Sequence, residues 1–155
     1  VGSSIGGTTP SDWLKAKGAE IDAAYAAGDL DAAVELEIKL WVDGPRRTPD
    51  AVAPGIRGKV FAMDRDNFVT QEDIEGLPRP LQPPAIERLG EIRAPTLIVA
   101  GDEDVPDVLA RADVLSERID GARAEVFHGV AHMLTMERPA DFVRLVLDFL
   151  ATLDR

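Results

Sequence analysis

The chain has 155 residues, 45% of them hydrophobic and 29% charged, the balance of a folded globular sequence rather than a disordered one. A net charge of −11 excludes the basic face that nucleic acids and anionic membrane surfaces require, and no uninterrupted apolar run approaches the roughly 18 residues of a spanning helix. Cysteine is absent, which removes disulfides, thiol catalysis and Cys-ligated metal together.

The chain opens at Val1, without Met and without a basic-then-apolar leader. A fragment or processed product of a larger protein, cytoplasmic by default, is therefore the expectation. Residues 1–10 are rich in Gly, Ser and Thr and read as a loop. Ser11 or Asp12 caps a helix that carries Trp13, Leu14, Ile21, Ala24 and Tyr25 and ends at Gly28. Asp29 caps a second, more apolar helix, Leu30 to about Val42, stopped by Gly44-Pro45. The two form a hairpin. After a Pro/Gly connector, a third helix is predicted over Gly55 to Asn67, with Ile56, Val60 and Phe61 or Met63 inward. Residues 11–70 thus form a helical unit. Residues 71–93, with repeated prolines that deny backbone donors, read as an extended linker and the best internal boundary.

From residue 94 the pattern changes. Ala94 to Ala100, APTLIVA, is a short apolar run of the kind a parallel sheet buries on both faces. Pro106 to Ile119 is a helix, AEVFH at 124–128 a second strand, and Pro139 to Leu153 a helix with Phe142, Leu145, Val146, Phe149 and Leu150 on one face. Residues 94–155 therefore read as a β-α-β-α unit with a right-handed crossover between parallel strands. The fold class is α/β.

Parallel strands release their following loops at one edge, where open α/β sheets gather ligands and catalytic groups. The first loop carries Asp102, Glu103 and Asp104; the second carries His128 and His132. A carboxylate bonded to one imidazole nitrogen fixes the tautomer, and the other nitrogen then takes a proton from a nucleophile. The plain structural alternative is that Asp104 or Asp107 caps the next helix.

The surrounding pattern resembles the α/β-hydrolase superfamily. In that family a Pro-Thr-Leu strand ending in Gly-x-x-Asp supplies the triad acid, a Gly-x-Ala-His loop supplies the base, and Glu-x-Pro opens the last helix. Here those elements are Pro95, Thr96, Leu97, Gly101 and Asp104, then Gly129, Ala131 and His132, then Glu137 and Pro139. The resemblance covers residues 92–150 and implies Asp104 as acid and His132 as base. Residues 11–70 resemble the family's inserted helical cap, Leu40-Trp41-Val42-Asp43-Gly44-Pro45 in particular. The expected fold is thus a partial α/β-hydrolase fold, a helical cap followed by the last two strands. The expected activity is serine-type hydrolysis of a small ester, lactone or carbon–carbon-cleavable diketone, with no cofactor and no metal.

The pattern departs from the family at the nucleophile. Gly2-Ser3-Ser4-Ile5-Gly6 matches Gly-x-Ser-x-Gly in letters, with Ser4 central, but no strand precedes it and no helix-forming run follows. The segment reads equally well as a loop entering the cap. The oxyanion donors expected near the third strand have no counterpart in this sequence. A non-catalytic binding or assembly module is accordingly the rival reading. Asp102 is an alternative acid and His128 a solvent-facing or partly packed residue. Met133 and Trp41 are candidates for a substrate pocket, although both suit core packing, as does Trp13. Two parallel strands leave an edge and a face uncovered, so the upstream half of the same protein, a complementing chain or self-association is expected to cover them.

Overall fold

A computed structural model describes residues 5–70 and 81–153. Ser4 and the first ten residues of the expected linker, 71–80, lie outside the described residues.

The helical unit begins with α1, Asp12–Ala26, whose N-terminus is capped by the Ser11 hydroxyl accepting from the Leu14 N–H. Gly28, at φ 77°, makes the turn that a β-carbon would resist. Asp29 then accepts from the Ala32 N–H and starts α2, Leu30–Glu37. The second helix was expected to run unbroken to Val42, but the α-helix stops at Glu37 and residues Ile38–Asp43 widen into a π-helical turn. Apolar residues crowd this turn, and its wider winding faces them two ways. Ile38 and Val42 join Val34, Val52, Ile56 and Val60 in one core cluster, while Leu40 joins Ile21 and Ala33 in another. Helix α3 runs Ile56–Thr70, longer than the sequence pattern predicts.

The described part of the linker is not simply extended, since Ala85–Glu87 and Leu89–Glu91 each close a single 3₁₀ turn. Strand β1, Leu97–Gly101, starts three residues later than predicted because Pro95 has no N–H to donate. Helix α4, Pro106–Arg118, has Pro106 in its first turn. Strand β2, Arg123–Phe127, pairs parallel to β1 with Leu97 opposite Arg123 and Gly101 opposite Phe127. A short helix α5, Leu134–Glu137, which the sequence pattern does not announce, precedes α6, Pro139–Ala151. The expectation that the first strand is buried on both faces is met in part: Ile98 and Ala100 are buried, while Leu97 and Val99 are half-buried. In β2, Arg123, Ala124 and Val126 are exposed.

Val105 is the joint between the two parts. It lies between the loop after β1 and the start of α4, is completely buried, and packs into the helical unit's cluster with Ile21, Ala33 and Leu40. Beside it, the Asp107 carboxylate accepts from the N–H and hydroxyl of Ser11, both at 2.7 Å. Asp107 thus ties the start of α1 to α4 instead of capping its own helix. No helix among the described residues is long and apolar enough to cross a membrane.

Candidate active site

The β1 and β2 loops leave at one edge, and there the structure brings Asp104 and His132 together. His132 Nδ1–H donates to Asp104 Oδ2 at 2.7 Å. The Asp104 carboxylate is nearly sealed, at 2% exposure. Its other oxygen accepts from the Val105 N–H at 2.7 Å. A carboxylate held this way accepts, which makes Nδ1 the donor and leaves Nε2 as the nitrogen turned away from Asp104. Asp104 does not cap α4.

The imidazole is held from the helical side as well. The His132 N–H donates to the Trp41 carbonyl at 3.2 Å, and the Trp41 ring lies 4.9 Å from the imidazole at an interplanar angle of 53°. Trp41 is therefore a wall against the base. Met133 is placed elsewhere: it packs with Met136 against the helical cluster around Val34 and Ile38. Of the two fates the sequence allows Met133, a pocket beside His132 or core packing, these contacts are those of core packing, and the residue stays half-buried.

Two glycines make the close approach of the loops possible. A β-carbon on Gly101 would stand 2.2 Å from the Val130 carbonyl oxygen and 2.7 Å from that of Ala131. One on Gly44, at φ 77°, would stand 2.2 Å from the Glu103 carbonyl oxygen. The backbone of the His132 loop thus rests directly on the end of β1, and the end of the π turn rests on the Asp104 loop.

Asp104 and His132 line a trough of about 230 Å³ walled by Ile98, Ala100, Val108, Leu134 and Phe142. A larger cavity of about 770 Å³ lies between α1, the π turn and Pro106, and neither member of the pair lines it.

The second Asp–His pair differs in setting. His128 Nδ1 meets Asp102 Oδ2 at 2.8 Å, and the Gly129 N–H donates to Asp102 Oδ1. The His128 side chain is 86% exposed. The hydrogen bond from His128 holds the Asp102 carboxyl below its ordinary range. Asp102 is therefore not the acid of His132, and the pair sits in water, where its interaction is weak.

Sequence reasoning missed a buried ion pair behind the base. Arg47 and Glu137 side chains are 7% and 6% exposed and meet at 2.8 Å. Glu137 belongs to the recognised Glu-x-Pro element. Arg47 has no signal beyond being one of two adjacent arginines in a Pro/Gly connector of an acidic chain. Also missed was Asp43, which is buried, bonded to Arg57 through one oxygen and left without a partner at Oδ1. Among the described residues the serines are Ser11 and Ser116. The first hydroxyl is taken by Asp107 and the second by the Asp113 carbonyl. No group of three or more His, Cys, Asp or Glu side chains that could hold a metal ion occurs among the described residues.

No family model matches the chain. The monoacylglycerol lipase ABHD6 of Mus musculus is 35% identical over 66 residues, covering 43% of this chain and 20% of the lipase. The chain thus spans about a fifth of the length of this curated relative. Among solved structures, Est816, described as an N-acyl homoserine lactone degrading enzyme, superposes with a TM-score of 0.59 at 25% identity, over 84% of this chain and 51% of its own. A hydrolase from Pseudomonas aeruginosa PA01 superposes at 0.64 with 21% identity, over 94% and 52%, and MenH from S. aureus at 0.64 with 19% identity, over 97% and 56%. The last two likenesses concern the fold alone.

Proposed function

From its place in the α/β-hydrolase superfamily, whose C-terminal part this chain carries, we propose that the chain supplies the acid and base of a serine-type hydrolase. The observation that carries this reading is the 2.7 Å bond between His132 Nδ1 and a buried Asp104. Asp104 orients the ring and stabilises its protonated form. His132 Nε2 takes the proton of a serine hydroxyl as that oxygen attacks a carbonyl carbon, and then returns it to the departing alcohol. Both described serine hydroxyls are engaged elsewhere, so the attacking serine belongs outside the described residues, at Ser4 or in a part of the protein beyond this sequence.

The helical unit acts as the cap over the site. It touches the base through Trp41 and the acid's loop through Gly44. An ester or lactone is favoured over the carbon–carbon-cleavable diketone as substrate. That choice draws on the lipase and the lactone-degrading enzyme among the similar proteins. The non-catalytic alternative keeps one observation in its favour: no described serine reaches His132.

One assay separates the two readings. Turnover of p-nitrophenyl acetate is measured for the full-length protein and for its His132→Ala variant. The hydrolase reading expects a loss of about 10⁶-fold. Equal turnover in the two proteins means that His132 is not a base.

A further inference from the structure

The Arg47 guanidinium spends all five of its N–H groups at one place. Nε donates to the Asp43 carbonyl at 2.8 Å and one Nη2 proton to the Val42 carbonyl at 2.6 Å. An Nη1 proton goes to the Gly129 carbonyl at 2.8 Å. The remaining two grip Glu137, Nη1 to Oε2 at 2.8 Å and Nη2 to Oε1 at 2.9 Å. Glu137 Oε1 also accepts from the Ala131 N–H at 3.3 Å.

These contacts have a common logic. Trp41, Val42 and Asp43 end the π turn, where carbonyls have no partner within the helix. Arg47 takes two of the three carbonyls, and the His132 N–H takes that of Trp41. Gly129 and Ala131, which the ion pair holds, lie just before His132 in the β2 loop. One buried cation therefore staples the end of the π turn to the backbone on the base's N-terminal side. A lysine has no fork to repeat this.

We infer that Arg47 and Glu137 are positioning residues for His132: together they lock the base's loop to the helical unit, so that the imidazole is aimed at Asp104 only while that unit is seated. The inference rests on the hydrolase reading and deepens it. It makes the orientation of the base conditional on a part of the chain that contributes no acid, base or nucleophile.

The chain has two histidines, so a His128→Gln background leaves one imidazole to follow by ¹⁵N nuclear magnetic resonance. The ring's nitrogen shifts report which tautomer His132 adopts. In the background protein the Nδ1–H form should dominate at alkaline pH. Arg47→Lys should lower the ratio of that form to the Nε2–H form about fivefold, and the double variant Arg47→Met/Glu137→Gln should do the same. The double variant removes both buried charges at once and so leaves neither stranded, which preserves the fold; a cooperative melt checks this. An unchanged ratio in the folded double variant, or a full rescue by lysine, overturns the inference. Asp104→Asn is the control for the parent reading. Should it leave the tautomer ratio untouched, the acid–base pair itself is absent and both proposals fall, whereas a response to Asp104→Asn with none to the Arg47 variants sinks this one alone.

Discussion

His132 and His128 each face an aspartate, at 2.7 Å and 2.8 Å, and distance does not tell them apart. Surroundings do. Asp104 is sealed and accepts a backbone N–H beside the imidazole's, whereas His128 stands in solvent. An ion pair in water is screened and contributes little; the same pair behind Val105 cannot exchange its partner for water. Asp104→Asn is therefore expected to lower kcat about 10⁴-fold, by allowing the wrong tautomer. Asp102→Asn should cost less than about tenfold. A comparison of ester turnover in the two variants checks this, and equal losses would transfer the acid's role away from Asp104. The two histidine loops were legible in the sequence because strand ends are. Spacing alone does not say which aspartate serves which histidine, since Asp102 and Asp104 lie two residues apart; the family resemblance named Asp104 for His132, and the hydrogen bonds and burial agree with it.

Among the elements, α2 and α3 hold carboxylates where burial and like charge work against ionisation. Burial pushes the Glu37 carboxyl up and the charge of Asp64 adds to it, against a hydrogen bond with Trp41. A carboxyl raised in the folded state contributes most below its unfolded value of 4.5 and loses that contribution as pH climbs through the folded value. Glu37→Gln should accordingly raise the melting temperature at pH 7, with the gain disappearing below pH 4.5; a pH-independent difference would contradict this. The glycines make a second contrast. Gly101→Ala drives a β-carbon into two backbone carbonyls and should cost about 3 kcal/mol. Gly18→Ala, inside α1 with open space around it, should gain about 0.5–1 kcal/mol. Denaturant midpoints measure both, and a neutral Gly101→Ala would show that the loops are not in contact. The ends of α1 and the starts of α2 and α4 follow from caps, glycine and proline visible in the sequence. The π turn does not, because its carbonyls are satisfied by Arg47 and His132, which come from outside the helix.

Across the whole molecule, the described residues leave apolar surface that the two strands and their helices do not cover. On α6, Val143, Leu147 and Leu150 are exposed at helical spacing, while Phe142, Leu145, Val146 and Phe149 are half-buried. Strand β1 pairs with β2 alone among the described residues. An open edge and an apolar stripe favour association with another chain. The isolated chain is therefore expected to self-associate, and Val143→Glu/Leu147→Glu to reduce that association in sedimentation at equal concentration. Identical sedimentation before and after the substitutions would assign the stripe to no interface.

Local chemistry in the chain is enough to specify the helical segments, the two parallel strands and the edge at which Asp104 and His132 emerge, because periodicity, capping and proline act over a few residues. The resemblance over residues 92–150 added the two named roles. Distant partners belong to another order of information. Arg47 and Glu137 are 90 positions apart, and Ser11 and Asp107 are 96 apart. In a chain with 28 acidic residues nothing local singles out one partner for a given cation or hydroxyl. Packing Val105 into the helical unit makes the choice, since it sets which charges lose their water and must find each other.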